Sequence, residues 1–160
     1  MRLILKEEKA KKELVDEFED LFKAGKIKKG AEFFNIILKY AKLYREKVLD
    51  GQLNALPPNK RIRYKTLMDL MVRFLPFSDW IPPLLLFCER FKDENALYEF
   101  AFQLERKFFI EWCADFTATE RITSSINLIR LIKKAKTPDC LLYTSPSPRD
   151  LSTSRMPSSA

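Results

Sequence analysis

The 160-residue chain contains no histidine. It therefore cannot supply a serine-histidine or cysteine-histidine pair, a histidine metal ligand or an imidazole base, which removes most hydrolase and nuclease chemistry from its own repertoire. Glycine is scarce at three residues, against nine prolines and thirteen phenylalanines, a balance that argues against glycine-rich sheets and for helices. Three cysteines, Cys88, Cys113 and Cys140, lack metal-ligand spacing, and an odd number makes a poor disulfide framework, so a reducing, cytoplasmic setting is expected. Long apolar runs are missing as well. The stretch from Leu3 to Leu5 is far short of a signal-peptide core, and Leu84 to Cys88 is far short of the roughly 20 residues that cross a bilayer. Neither export nor membrane insertion is expected.

What the chain has is 46% apolar and 32% charged residues, ordinary for one globular domain, and a net charge of +7. That charge suits nucleic acid or an anionic surface, and it equally suits lysine-rich helices facing water. At Cys140 the composition changes. The last stretch, CLLYTSPSPRDLSTSRMPSSA, holds six serines and three prolines without a helical period, so residues 140–160 are expected to be disordered. Its first part, CLLYTSPSPRD, resembles a translated transposase-type sequencing adapter, and its end, SRMPSSA, resembles translated flow-cell primer. Residues 140–160 are therefore read as an adapter-derived artefact, and residues 1–139 as a helical fragment of a larger protein.

Within residues 1–139 the apolar spacing predicts about six helices in an irregular all-α bundle. Leu14, Phe18, Leu21 and Phe22 mark a first helix over roughly 4–24. Phe33, Ile37, Tyr40, Ala41, Tyr44 and Val48 mark a second, stopped by Asp50-Gly51, and Phe34, Ile36, Leu38 and Leu43 widen its apolar face toward burial on more than one side. After a loop containing Pro57-Pro58, Tyr64, Leu67, Met68, Met71 and Leu75 define a third helix over roughly 61–75, ended by Pro76. Asp79 is the expected N-cap of a fourth over roughly 81–91, with Pro82 and Pro83 in its first turn. Asp93 caps a fifth whose face carries Leu97, Ala101, Leu104, Phe108 and Trp112, widened toward burial by Phe100, Phe102, Phe109 and Ile110. Thr117 and Glu120 have capping-box spacing at the start of a sixth, which ends before Thr137-Pro138.

No catalytic constellation emerges. Asp50-Gly51-Gln52 could form a ligand loop, but its place after a helix favours a C-terminal cap. The acids Glu7, Glu8, Glu17, Glu19 and Asp20 read as a solvated mixed-charge face. Cys88 and Cys113 lie in apolar surroundings and read as inert packing. Three basic clusters can touch phosphates: Lys26 to Lys29, Lys60 to Lys65, and Arg130 to Lys136. Lysines at a helix C-terminus also oppose the macrodipole with no ligand present. The middle cluster, with Lys60, Arg61, Arg63 and Lys65 around Tyr64, is the candidate nucleic-acid contact.

Three segments carry a family resemblance: FEDLFKAGKIKKGAEFFNIILKYAKLYREKV, FLPFSDWIPPLLLFCERF and FQLERKFFIEWCADFTATERITSSINLIRLIKKA. Together they resemble the helical region of GmrSD-type modification-dependent restriction endonucleases and span nearly all of 10–136. The resemblance implies a cytoplasmic multidomain protein acting against foreign DNA with modified bases. Its N-terminal ParB/sulfiredoxin-like domain would hydrolyse a nucleoside triphosphate, and its C-terminal HNH nuclease would use a divalent metal. The partners implied are those two domains of the same chain and DNA, with no membrane. Neither domain is contained in this sequence, and no cofactor is expected on it. Family motif residues Trp80, Pro82, Leu104, Glu105, Arg106 and Arg121 carry over as structural positions only. No catalytic residue transfers, because the nuclease motif requires histidine and because Asp50-Gly51-Gln52 follows a helix where the family motif follows a strand.

Overall fold

A computed structural model describes residues 2–142. Among them are eight α-helices, one π-helical segment and no strand, so the all-α expectation holds with more segments than the six predicted. The helices are α1 (Arg2–Lys6), α2 (Leu14–Lys23), α3 (Ala31–Leu43), α4 (Pro58–Phe74), α5 (Ile81–Arg90), α6 (Glu94–Cys113), α7 (Ala118–Lys134) and α8 (Asp139–Leu142); the π segment, Tyr44–Leu49, continues α3.

The centre is α5. Pro83 to Cys88 are buried in succession, as expected of a helix that is apolar all round. It packs against α1, α3, α6 and α7. Phe87 stacks on Phe100 of α6 with ring centres 4.1 Å apart, and Trp80, Tyr64, Met68, Leu104, Phe108 and Ile129 complete the interior.

Helix ends follow local chemistry. The Asp93 carboxylate accepts from the amides of Asn95 and Ala96, and Thr117 and Glu120 form the reciprocal capping box. Asp79 does not cap α5. That place belongs to Trp80, and Asp79 instead pairs with Arg121 of α7. The third predicted helix begins three residues early, because Pro58 occupies the first helical position, where its missing amide costs nothing.

The predicted first helix is two helices. Glu7 turns the chain with φ +54°, and its carboxylate receives Lys133 at 2.5 Å and Arg130 at 3.5 Å, both from α7. This draws α1 into the core through Ile4 and separates it from α2. No apolar residue between Leu5 and Leu14 except Ala10 could hold a continuous helix against the bundle. Glu17, read as solvated, is buried: it accepts from the Lys11 amide at 2.9 Å and lies 3.8 Å from the Lys6 ammonium.

Two further expectations change. Helix α3 is covered on one side only, leaving Phe34, Ile37 and Leu38 exposed. Phe109 and Trp112 of α6 and Cys113 at its end are also exposed, because α4, α5 and α8 cover only part of its circumference. Helix α8 enters the stretch expected to be disordered, and Leu141 joins the core. The remainder of the adapter-like run, 143–160, lies outside the described residues.

Candidate functional site

The basic run Lys60 to Lys65 occupies the first two turns of α4. With about 100° per residue, positions four apart share a face and adjacent positions diverge. Arg61 and Lys65 accordingly stand together, lining an open cleft of about 340 Å³ with Asp50, Gln52, Asn54 and Ile62. Lys60 leaves them for the other flank, its ammonium 5.1 Å from the ring centre of Tyr98 on α6. Arg63 is exposed on that flank also. Tyr64, the aromatic expected to interleave with these charges, is fully buried and cannot stack on a base. Of the four candidate residues, the fold brings together two.

These cations stand at the helix end where the macrodipole disfavours them, and no acidic residue occupies the first turn of α4. Helix-end electrostatics therefore does not account for them. It does account for Lys133 and Lys134 in the last turn of α7, where Lys133 additionally donates to the Ile4 carbonyl at 2.7 Å. In the first cluster, Lys28 pairs with Glu32 and Lys29 lies over the Phe22 ring. Those two clusters have structural occupations.

The loop beside Arg61 and Lys65 is set by the π segment. Asp50 donates its amide to the Arg45 carbonyl across the widened turn, and Gly51 follows with φ +60°. Tyr64 donates its hydroxyl to the Lys47 carbonyl at 3.0 Å, while burial pushes its pKa well above the usual phenol value. The Lys47 ammonium donates to the Gln52 carbonyl at 2.9 Å and to Glu94 at 2.8 Å, and Glu94 also accepts from the Ala55 amide at 2.7 Å. Burial pushes the Glu94 carboxyl up, but these donors outweigh it and hold it below its ordinary 4.5.

Sequence reasoning missed three arrangements. A charged cleft of about 390 Å³ lies between α3 and the α5–α6 junction; there Tyr40 and Lys39 both donate to Glu89. A second, apolar cleft of about 340 Å³ lies between α4 and α6. Thirdly, Glu111 is buried at the α6–α7 contact, where one carboxylate oxygen accepts from Lys107 and Ser124 while the other has no protein partner. Sequence alone offered only a weak signal for the last, a glutamate in register with Leu104 and Phe108 on the buried face of α6.

Cys88 is unsuited to nucleophile chemistry. Cys88 is buried and its thiol pushed up to about 12 by desolvation, so a thiolate is strongly disfavoured. Among the described residues there is no cluster of three acidic, cysteine or histidine groups able to hold a metal, and no helix is long and apolar enough to cross a membrane. Of the six residues that carry the family resemblance, two are buried, Pro82, Glu105 and Arg121 are partly buried, and Arg106 is exposed. Trp80 and Leu104 are buried, and Arg121 spans a junction: its guanidinium is 4.2 Å from the Phe77 ring centre, its Nε donates to Asp79 at 3.3 Å, and it also donates to the Phe116 carbonyl. The chain matches no protein-family model, and no curated protein or solved structure is significantly similar to it.

Proposed function

We propose that residues 1–139 form the central helical scaffold of a GmrSD-like anti-phage restriction protein, linking a nucleotide-hydrolysing domain to a nuclease domain and having no activity of its own. The observation supporting this reading is the location of the motif-matching side chains. Trp80 and Leu104 pack in the interior, and Arg121 ties the start of α7 to the segment preceding α5, so these three residues hold helices together, while Glu105 borders the α4–α6 cleft and Arg106 faces outward. Long-read sequencing of the source locus tests it. The expected frame continues upstream into a strand-borne Asp-Gly-Gln motif and downstream into a histidine-bearing nuclease segment. A start at Met1 with a stop soon after codon 139 would overturn it.

A second reading, contact with nucleic acid, is favoured by Arg61 and Lys65 standing exposed together at a helix start where the macrodipole does not explain them. It predicts DNA retardation at low salt that falls with rising salt and disappears on Arg61→Glu with Lys65→Glu. Absence of retardation at low salt would reject it.

A further inference from the structure

Two apolar surfaces have no partner among the described residues, and their patterns are complementary. The first is the groove between α4 and α6. These helices run parallel, since Lys60 meets Tyr98 near their starts while Phe74 and Trp112 line the same cleft near their ends. Leu67 and Met71 form the floor, and the exposed side chains of Leu70, Phe74, Phe109 and Trp112 form the rims. A single charged group, Glu105, lies in the lining. It is partly buried and has no hydrogen bond or ion pair among the described residues. By the register of the two helices it lies level with Leu67, at one end of the apolar stretch.

The second surface is the outer face of α3. Phe34, Ile37, Leu38 and Ala41 are exposed at the i, i+3, i+4, i+7 spacing by which an amphipathic helix anchors in a groove. Arg45 follows one turn later, exposed and likewise without an ion pair among the described residues. The stretches Phe34 to Ala41 and Leu67 to Phe74 each cover about 10 Å of helix axis, so their lengths agree. Each surface also carries its unpaired charge at one end, and the charges are opposite. A carboxylate closed under an apolar partner requires a cation to meet it, and a stripe ending in arginine brings one.

We propose that this protein self-associates head to tail, α3 of one copy lying in the α4–α6 groove of the next. The orientation is set by charge: Arg45 meets Glu105, Phe34 reaches the end formed by Phe74 and Trp112, and the inserted helix runs antiparallel to its two hosts. Because the two surfaces differ, a pair retains one free stripe, on the host copy, and one free groove, on the inserted copy. Assembly therefore continues to open chains or a ring and does not stop at an isologous dimer. This depends only on surfaces present in the chain and stands or falls separately from the family reading.

Analytical ultracentrifugation of the 160-residue chain tests it. The wild type is expected to increase in mass with concentration beyond two copies. Leu38→Asp removes the stripe and Phe109→Asp removes the groove; both positions are exposed, and circular dichroism with thermal melting verifies that each variant folds. Each alone is expected to lose chain growth and sediment as a monomer, whereas a 1:1 mixture, having one intact stripe and one intact groove, forms a complex of two copies. Arg45→Glu and Glu105→Arg are each expected to weaken association about tenfold, and the double variant to restore it. A wild type that stays monomeric throughout, a mixture of folded variants that fails to pair, or charge swaps that do not rescue one another would overturn the proposal.

Discussion

A methyl group added to Gly51 would stand 2.9 Å from the Cα of Lys65. The loop after the π segment thus lies directly against the backbone of α4, at a glycine already in the left-handed region at φ +60°. Two costs coincide there, backbone strain and a clash with main-chain atoms that cannot rotate aside. Gly51→Ala is expected to destabilise the fold by about 2–4 kcal/mol, read as a lower urea midpoint at unchanged slope. Gly25→Ala should cost only about 1 kcal/mol, since φ is +66° but the space around it is open.

Helix α6 ends in a closed cap with the wrong residue at its key position. The Phe116 amide donates to the Glu111 carbonyl and the Asp115 amide to that of Trp112, which places Asp115 at φ +56° where glycine is usual. The end of α2 has the same pattern with Gly25 in that place. Asp115→Gly is therefore expected to stabilise the protein by about 0.5–1 kcal/mol, measured by thermal melting, with no change in helix content.

Arg121 joins an aromatic face, a carboxylate and a carbonyl through one planar group. Lysine offers a point charge and cannot reproduce the stack and the fork together. Arg121→Lys is expected to cost about 1–2 kcal/mol and Arg121→Ala about 2–3 kcal/mol in chemical denaturation.

Acid should loosen the loop held by Glu94. Its folded pKa is depressed, so its contribution is fully present above the unfolded value near 4.5 and is lost as pH falls through the lower folded value. Wild type is expected to lose more stability between pH 6 and pH 3 than Glu94→Gln, whose amide does not titrate. Equal losses in the two proteins would exclude this linkage.

Thiol reactivity should divide along burial. Cys113 and Cys140 are exposed, and Cys88 is buried with its thiol pushed up to about 12. A maleimide at neutral pH is expected to label two cysteines in the folded protein and the third only after denaturation.

Helical identity, the prolines in the first turn of α5, the Asp93 cap and the Thr117–Glu120 box were all legible from the chain, whereas Pro58 at the start of α4 read as loop. Each legible feature depends on residues within a turn of one another, and on backbone donors that must be satisfied locally. The absence of histidine was equally decisive for chemistry, because no fold can supply an imidazole that the chain lacks. What covers a helix is another matter. The spacing of Phe34, Ile37 and Leu38 marks an apolar face but says nothing of whether a neighbour reaches it, and none does among the described residues. The basic run of α4 read as one patch, whereas helical phase divides it and Tyr98 takes Lys60 away. Lys133 and Arg130, more than a hundred residues downstream, meet Glu7 where the predicted first helix breaks. The sequence by itself thus determined that the chain is helical, where α6 and α7 are capped and which histidine-dependent reactions it cannot perform, since those are local or compositional properties. Only the tertiary structure decided which apolar faces are left open and which charges are left unpaired, because both depend on contacts between residues far apart along the chain.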